Sequence, residues 1–179
     1  MSVTKPSGNP AMQKRGRMSK LVPPHGAKEL KPLIFPEAER PDQVKRTQQL
    51  KKIPMTSRET SDVIMLAMGA YTPLTGFMGA ADWRGVCTDM AMADGLFWPI
   101  PITLSCGQQT ADSLSLGSDL ALADGDGAII ATLTVREKYT IDRALECEHV
   151  FRTTDPAHPG VAKVMAQGAV NLAGPVAVL

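Results

Sequence analysis

The chain has 179 residues, 19 basic and 18 acidic, for a formal net charge of +1. That length suits one domain with a core of its own. Nothing in that charge balance demands nucleic acid or an anionic membrane surface as a partner. Only 4% of residues are aromatic, against 10 methionines, so an aliphatic, methionine-filled core is expected. Cys87, Cys106 and Cys147 are odd in number and widely spaced, which fits a reducing cytoplasm rather than a disulfide framework. No stretch reaches the roughly 18 apolar residues of a spanning helix. The basic N-terminus has no apolar segment of the kind a secretory signal carries.

Residues 1–20 carry Lys5, Lys14, Arg15, Arg17 and Lys20 and no acid. Such a segment buries too little to offset its ordering entropy, so a disordered arm is expected. It reads as an electrostatic tether to RNA or an acidic partner or, in preference, as a solvated tail. The folded domain is expected over 21–179.

Val22-Pro23-Pro24-His25-Gly26 reads as an extended turn, and Leu30 to Pro36 as a short strand that its prolines confine to an edge. Thr56 and Glu59 have capping-box spacing. A helix follows, with Thr60, Val63, Ile64, Ala67 and Met68 as its apolar face and Gly69 as a left-handed cap. Tyr71 to Met78 reads as an ordered loop returning large side chains to the core. A second helix over Ala80–Asp89 is expected to bury Trp83, Val86, Cys87 and Met90.

Ala93-Asp94-Gly95 is a turn. Trp98 to Leu104 alternates, which predicts a strand with Trp98, Ile100, Ile102 and Leu104 on one face. Pro99 and Pro101 remove two donors from one edge of it, so pairing must use the other edge or an irregular stretch. Leu120–Leu122 and Ala128–Val135 flank Asp124-Gly125-Asp126-Gly127, a hairpin pattern. Asp142 caps a short helix through about Cys147, Phe151 to Gly160 is a loop, and a short helix surrounds Val161–Met165. Val170–Leu179 is strand-like around Gly174-Pro175. These elements make a β-rich α+β domain, most simply a compact, partly open barrel.

Few residues point to chemistry. His25, His149 and His158 lack zinc-ligand spacing with each other or with the cysteines. His158 reads either as an acid/base held by Asp155 or, in preference, as a loop histidine bonded to backbone. Asp124-Gly125-Asp126-Gly127 lacks the third ligand position and the terminal glutamate of a calcium loop. No phosphate-binding glycine loop, dinucleotide fingerprint or nucleophile elbow occurs. Trp83 and Trp98 belong to apolar series and read as core or domain interface. No catalytic, cofactor-binding or metal-binding residue is expected.

The most specified stretches resemble a known family. Gly69-Ala70-Tyr71-Thr72-Pro73-Leu74-Thr75-Gly76-Phe77-Met78 resembles an N-terminal signature of ATP sulfurylases. Asp82, Val86 and Ala93-Asp94-Gly95-Leu96-Phe97-Trp98-Pro99-Ile100 to Leu104 look like its continuation. Phe151-Arg152-Thr153-Thr154-Asp155-Pro156-Ala157-His158-Pro159-Gly160-Val161 resembles a third block, and Gly174-Pro175-Val176 a fourth. Val22 to Gly26 is similar to a common family N-terminus. Thr72 stands where serine is common, and Trp83 and Phe151 where tyrosine is.

The resemblance implies a PUA-like N-terminal domain over 21–179, packed on a nucleotidyltransferase domain. In the family, sulfate joins the α-phosphate of Mg-ATP to give adenosine 5′-phosphosulfate and pyrophosphate, or the reverse. The family's substrate motif, Gln-Thr-Arg-Asn-Pro and two histidines three apart, lies beyond this domain and does not occur here. Pro73, Leu74, Gly76, Phe77, Asp94, Gly95, Trp98, Pro99, Thr154, Asp155, His158, Pro159 and Gly160 are therefore structural signature positions. The implied partners are the catalytic domain and further copies of the same enzyme, in the cytoplasm, with no membrane. A free-standing RNA-binding or assembly module is the alternative.

Overall fold

A computed structural model describes residues 22–179, and the arm expected over 1–20 lies outside the described residues. A curled, half-open sheet of seven strands carries the fold. Its strands are β1 (Lys51–Pro54), β2 (Gly76–Phe77), β3 (Leu104–Cys106), β4 (Asp119–Ala123), β5 (Ile129–Thr134), β6 (Glu137–Tyr139) and β7 (Val170–Val178). Among the described residues six α-helices lie around it: α1 (Arg40–Thr47), α2 (Ser57–Ala67), α3 (Ala80–Asp89), α4 (Gln108–Asp112), α5 (Arg143–Glu146) and α6 (Pro159–Met165).

The spine is β7. Its first half pairs antiparallel with β3 and β6, and its second half with β2 and β5. The sheet changes partners at Gly174, whose φ of +148° is a conformation other residues rarely adopt. Beyond β5 come β4, antiparallel, and β1, parallel to β4. The β4–β5 hairpin forms where the Asp-Gly pattern predicts it. Asp124 Oδ1 accepts from the amides of Asp126 (3.0 Å) and Ala128 (2.9 Å), which closes the turn. The core is mainly aliphatic, including Ile53, Leu66, Leu104, Leu120, Leu133 and Leu172, with Met55, Phe77, Met78 and Trp98 packed among them.

Several expectations are corrected. In α2 the buried face is Glu59, Asp62, Val63 and Leu66, while Ile64 and Met68 are exposed. The capping box itself is present. Its glutamate takes the inward position because it also serves a distant strand, and this turns Ile64 outward. Met90 is exposed and left-handed at the end of α3. Of the methionines, Met55 and Met78 are buried, whereas Met68, Met90 and Met165 face outward, so the core is aliphatic rather than methionine-filled. The strand expected over 98–104 is reduced to β3. Trp98 and Ile102 turn inward but Ile100 does not, because the prolines break the ladder and Trp98 N–H donates instead to Met90 O (2.8 Å). Residues 30–36 reduce to one bridge, Ile34 with Val178. Asp142 does cap a helix, but the chain continues past Glu146 as a π-helical turn over Cys147–Phe151. The loop after it begins at Arg152, whose φ is +59°.

Candidate functional site

Three of the signature blocks converge, and one stands apart. Gly69, left-handed at φ +75°, ends α2 and turns the chain into the Tyr71–Met78 loop. There Thr72 Oγ1 donates to Gly69 O (2.6 Å) and accepts from Lys31 N–H (3.0 Å). The Thr72–Pro73 bond is cis. Leu74, Phe77 and Met78 enter the core. Gly76 and Phe77 then pair with Pro175 and Gly174, and Val176 N–H donates to Thr75 O (2.9 Å), so the first and fourth blocks form one seam. A cavity of about 350 Å³ opens beside it, lined by Pro73, Gly76, Met78, Arg136, Glu137 and Gly174.

The second block closes on the first. Asp94 Oδ1 accepts from Leu96 N–H (2.9 Å), Gly95 takes φ +86°, and Asp82 Oδ1 accepts from Ala93 N–H (2.9 Å). This turn places Trp98 edge-on to Tyr71, with ring centroids 5.9 Å apart. His25 Nε2 lies 2.7 Å from Phe97 O, which ties the N-terminal turn to the same block. Pro99 walls a cleft of about 290 Å³ with Arg58, Asp62, Tyr71, Ile100 and Ile102.

The third block lies on the far side of the sequence and at the surface. Asp155 Oδ1 accepts from Ala157 N–H (2.9 Å), and Thr154 and Pro159 are exposed. His158 caps α6. Its Nδ1 accepts from the amides of Gly160 (3.2 Å) and Val161 (3.4 Å), and its ring packs on Phe151. The Asp155 carboxylate turns to Ala157, so these two side chains do not form a proton-relay pair.

Sequence reasoning missed the buried polar groups. Trp83 Nε1–H donates to Glu146 Oε2 (2.7 Å) in a buried pair under α3. Glu137 Oε2 accepts from Ala80 N–H (3.2 Å), filling the start of α3. A tryptophan in an apolar series signals that some acceptor must meet its N–H, but not which one. Burial raises the Cys87 thiol to about 12, with Glu146 adding to the effect, and also raises Cys106 and Cys147. None of the three is an activated nucleophile.

Burial likewise raises Glu146 above the ordinary glutamate value of 4.5, although the Trp83 bond opposes it. A carboxyl raised in the folded state favours folding when protonated and loses that contribution as pH climbs through its folded value. Glu146→Gln keeps an acceptor for Trp83 and cannot ionise. Its stability relative to the parent should therefore increase as pH rises above 4.5. Urea midpoints of both proteins from pH 4 to pH 8 would show this, and a pH-independent difference would contradict it.

No helix of the described residues is long and apolar enough to cross a membrane, and they contain no group of three His, Cys, Asp or Glu placed to hold a metal. A family profile described as a PUA-like domain matches residues 22–179. The chain belongs to the PUA-like domain family. Within it, the chain is 58% identical over 165 residues to a sulfate adenylyltransferase of Syntrophobacter fumaroxidans, covering 90% of this chain. A sulfate adenylyltransferase of Chlorobaculum tepidum is 53% identical over 160 residues, covering 88% of this chain. This PUA-like chain spans 40% of the length of each. Among solved structures, a hexameric APS kinase from Thiobacillus denitrificans superposes with a TM-score of 0.64 at 30% identity, over 88% of this chain and 27% of that one.

Proposed function

We propose that this chain is the N-terminal, non-catalytic domain of a sulfate adenylyltransferase, the enzyme that joins ATP and sulfate as adenosine 5′-phosphosulfate and pyrophosphate. The observation that carries this is identity of 58% across nearly the whole chain to a relative of which it spans only 40%. The chemistry of the described residues supports a non-catalytic role. Adenylyl transfer needs converging cations to stabilise charge on the phosphates. Here Arg143 donates to Gln167 O and Gly168 O, Lys138 to Ala111 O and Leu114 O, and Arg40 to Phe35 O. These groups cap carbonyls of their own chain. Mg-ATP would be bound by the larger enzyme in the cytoplasm, and the hexameric structural neighbour supports a homo-oligomer. The signature residues act as makers of shape.

The charge of the described residues favours this reading over RNA binding. Removing the five basic residues of positions 1–21 from the total of 19 leaves 14 against 18 acidic ones, a net charge of −4.

Pyrophosphate release from ATP and sulfate tests the proposal. The 179-residue chain should release none, while the longer product of its reading frame, carrying the Gln-Thr-Arg-Asn-Pro motif, should turn over. Turnover by the short chain, or an inert long product, would contradict it.

A further inference from the structure

Residues 142–167, which hold α5, the π-helical turn and α6, form a unit of their own beside the sheet. Its small core of Cys147, Val161 and Val164, with Phe151 packed on it, is separate from the main one. Its base is clasped, because Arg143 donates to Gln167 O (2.8 Å) and Gly168 O (2.8 Å). Outside the unit, the π-helical turn packs on α3. On the side of α2, a cleft of about 130 Å³ lies between Lys163, Ala166 and Gln167 and the Thr56–Arg58 turn. Beyond the clasp, one hydrogen bond among the described residues ties the unit to the rest of the domain, from Trp83 Nε1–H to Glu146 Oε2 (2.7 Å). Both side chains are buried. The unit's backbone is also irregular. After the π-helical turn comes Arg152 at φ +59°, a left-handed conformation that is costly for a residue with a side chain.

We propose that residues 142–167 are a flap that opens and unfolds while the sheet stays intact, with the Trp83–Glu146 bond as its latch, so that the latch decides when the third signature block is presented. That block, residues 151–161, lies on the flap. The Asp155 and His158 caps that shape it last only while the flap is folded. Released from α3, the flap cannot hold its own fold, since a segment well under about 40 residues does not sustain a core alone. The strands and the main core lie outside it and remain. The latch responds to pH. Burial raises the Glu146 carboxyl, so the closed flap favours the protonated form and loses that advantage as pH climbs through the folded value. Trp83 N–H and Arg58 of α2 oppose this by favouring the ionised form. The other titratable groups around Glu146 are Cys87 of α3, Tyr139 of β6 and Cys147 of the π-helical turn, and burial holds all three neutral.

Hydrogen exchange of the 179-residue chain, read by mass spectrometry and divided by the intrinsic rate at each pH, tests this. Amides of residues 143–165 should be at least about tenfold less protected than those of β5 and β7. Their opening should also depend less on urea, because less surface is exposed than in global unfolding. Above pH 4.5 the opening should increase with pH, by at most about tenfold per unit, until Glu146 is ionised in both states. The amides of Ala157, Gly160 and Val161, held by the caps of the third block, should follow the same course. Glu146→Gln cannot ionise and should abolish the increase. Trp83→Phe removes the donor and should speed flap exchange by about tenfold. Flap amides that match β7 in protection and in urea dependence would overturn the proposal, because the unit would then unfold only with the whole domain. So would a pH response that survives Glu146→Gln, caps that do not follow the flap, or exchange in Trp83→Phe no faster than in the parent.

Discussion

Gly76→Ala is expected to lower the melting temperature of the chain by roughly 10 °C, the equivalent of about 3–4 kcal/mol for a domain of this size. The reason is the seam between the first and fourth signature blocks. Gly76 pairs with Pro175, and a Cβ built on it would overlap Gly174 O and approach Val176 N to 2.8 Å and Pro175 Cα to 2.9 Å. All three are backbone atoms, so no rotamer change relieves the overlap. The strand pair must separate or β7 must shift. Because β7 pairs with β2, β3, β5 and β6, a shift there disturbs most of the sheet. Overpacking a core with one methyl costs about 1–3 kcal/mol when side chains can yield. A rigid backbone neighbour places this case at the upper end or beyond. Gly95→Ala is the matched control. It too sits at a glycine of the signature, but a Cβ there meets no atom within 4 Å, so only backbone strain at φ +86° is expected, about 1 kcal/mol. Thermal melts that rank the two variants the other way would refute the account of the seam.

That contrast indicates what the sequence could reveal. Gly76 and Gly95 are both visible as signature glycines, but only the fold shows that one is walled in by backbone and the other open. Local rules served well where the determinant is local. The capping box at Thr56, the left-handed Gly69, the Asp124 turn and the Asp142 cap each depend on atoms within a few residues. Longer-range features were hidden for identifiable reasons. In α1 only Thr47 is buried, so no apolar period announces it. In β1 only Ile53 and in β6 no residue is fully buried, and both are held by partners far along the chain. The alternation of Trp98, Ile100, Ile102 and Leu104 was a true pattern with a false implication, because the prolines that interrupt it leave Ile100 outside. The candidate cleft was half legible. Trp98 and Pro99 stand out in sequence, whereas Asp62 and Arg58 look like ordinary polar positions of a helix.

Glu59 joins the local and the distant, and its removal should be strongly destabilising. Its Oε2 accepts from Thr56 N–H (2.8 Å) and Thr56 Oγ1–H (2.7 Å), the reciprocal half of the capping box. Its Oε1 reaches 46 residues along the chain to accept from Ser105 N–H (2.8 Å) and lies 3.2 Å from Ser105 Oγ in β3. Gly168 N–H in turn donates to Ser105 Oγ (3.1 Å), immediately before β7. One carboxylate, 1% exposed, thus fastens the start of α2, β3 and the entry to β7. Glu59→Ala would leave the amides of exposed Thr56 and half-buried Ser105 without their acceptor and open a cavity where a fully buried side chain stood. A loss of about 3–5 kcal/mol follows, a large share of the stability of an ordinary domain. Glu59→Gln separates shape from acceptor number. Its amide fills the same space, but its Nε2 must face either Thr56 or Ser105, where a donor meets a donor, so about 2 kcal/mol should still be lost. Ser105→Ala removes only the hydroxyl and retains the amide bond to Oε1, and it should cost about 1 kcal/mol. Urea denaturation of the three variants should therefore find Glu59→Ala the least stable, Glu59→Gln intermediate and Ser105→Ala the most stable. Equal stability of the first two would mean that Glu59 acts through packing, and that the carboxylate does not join α2 to the sheet.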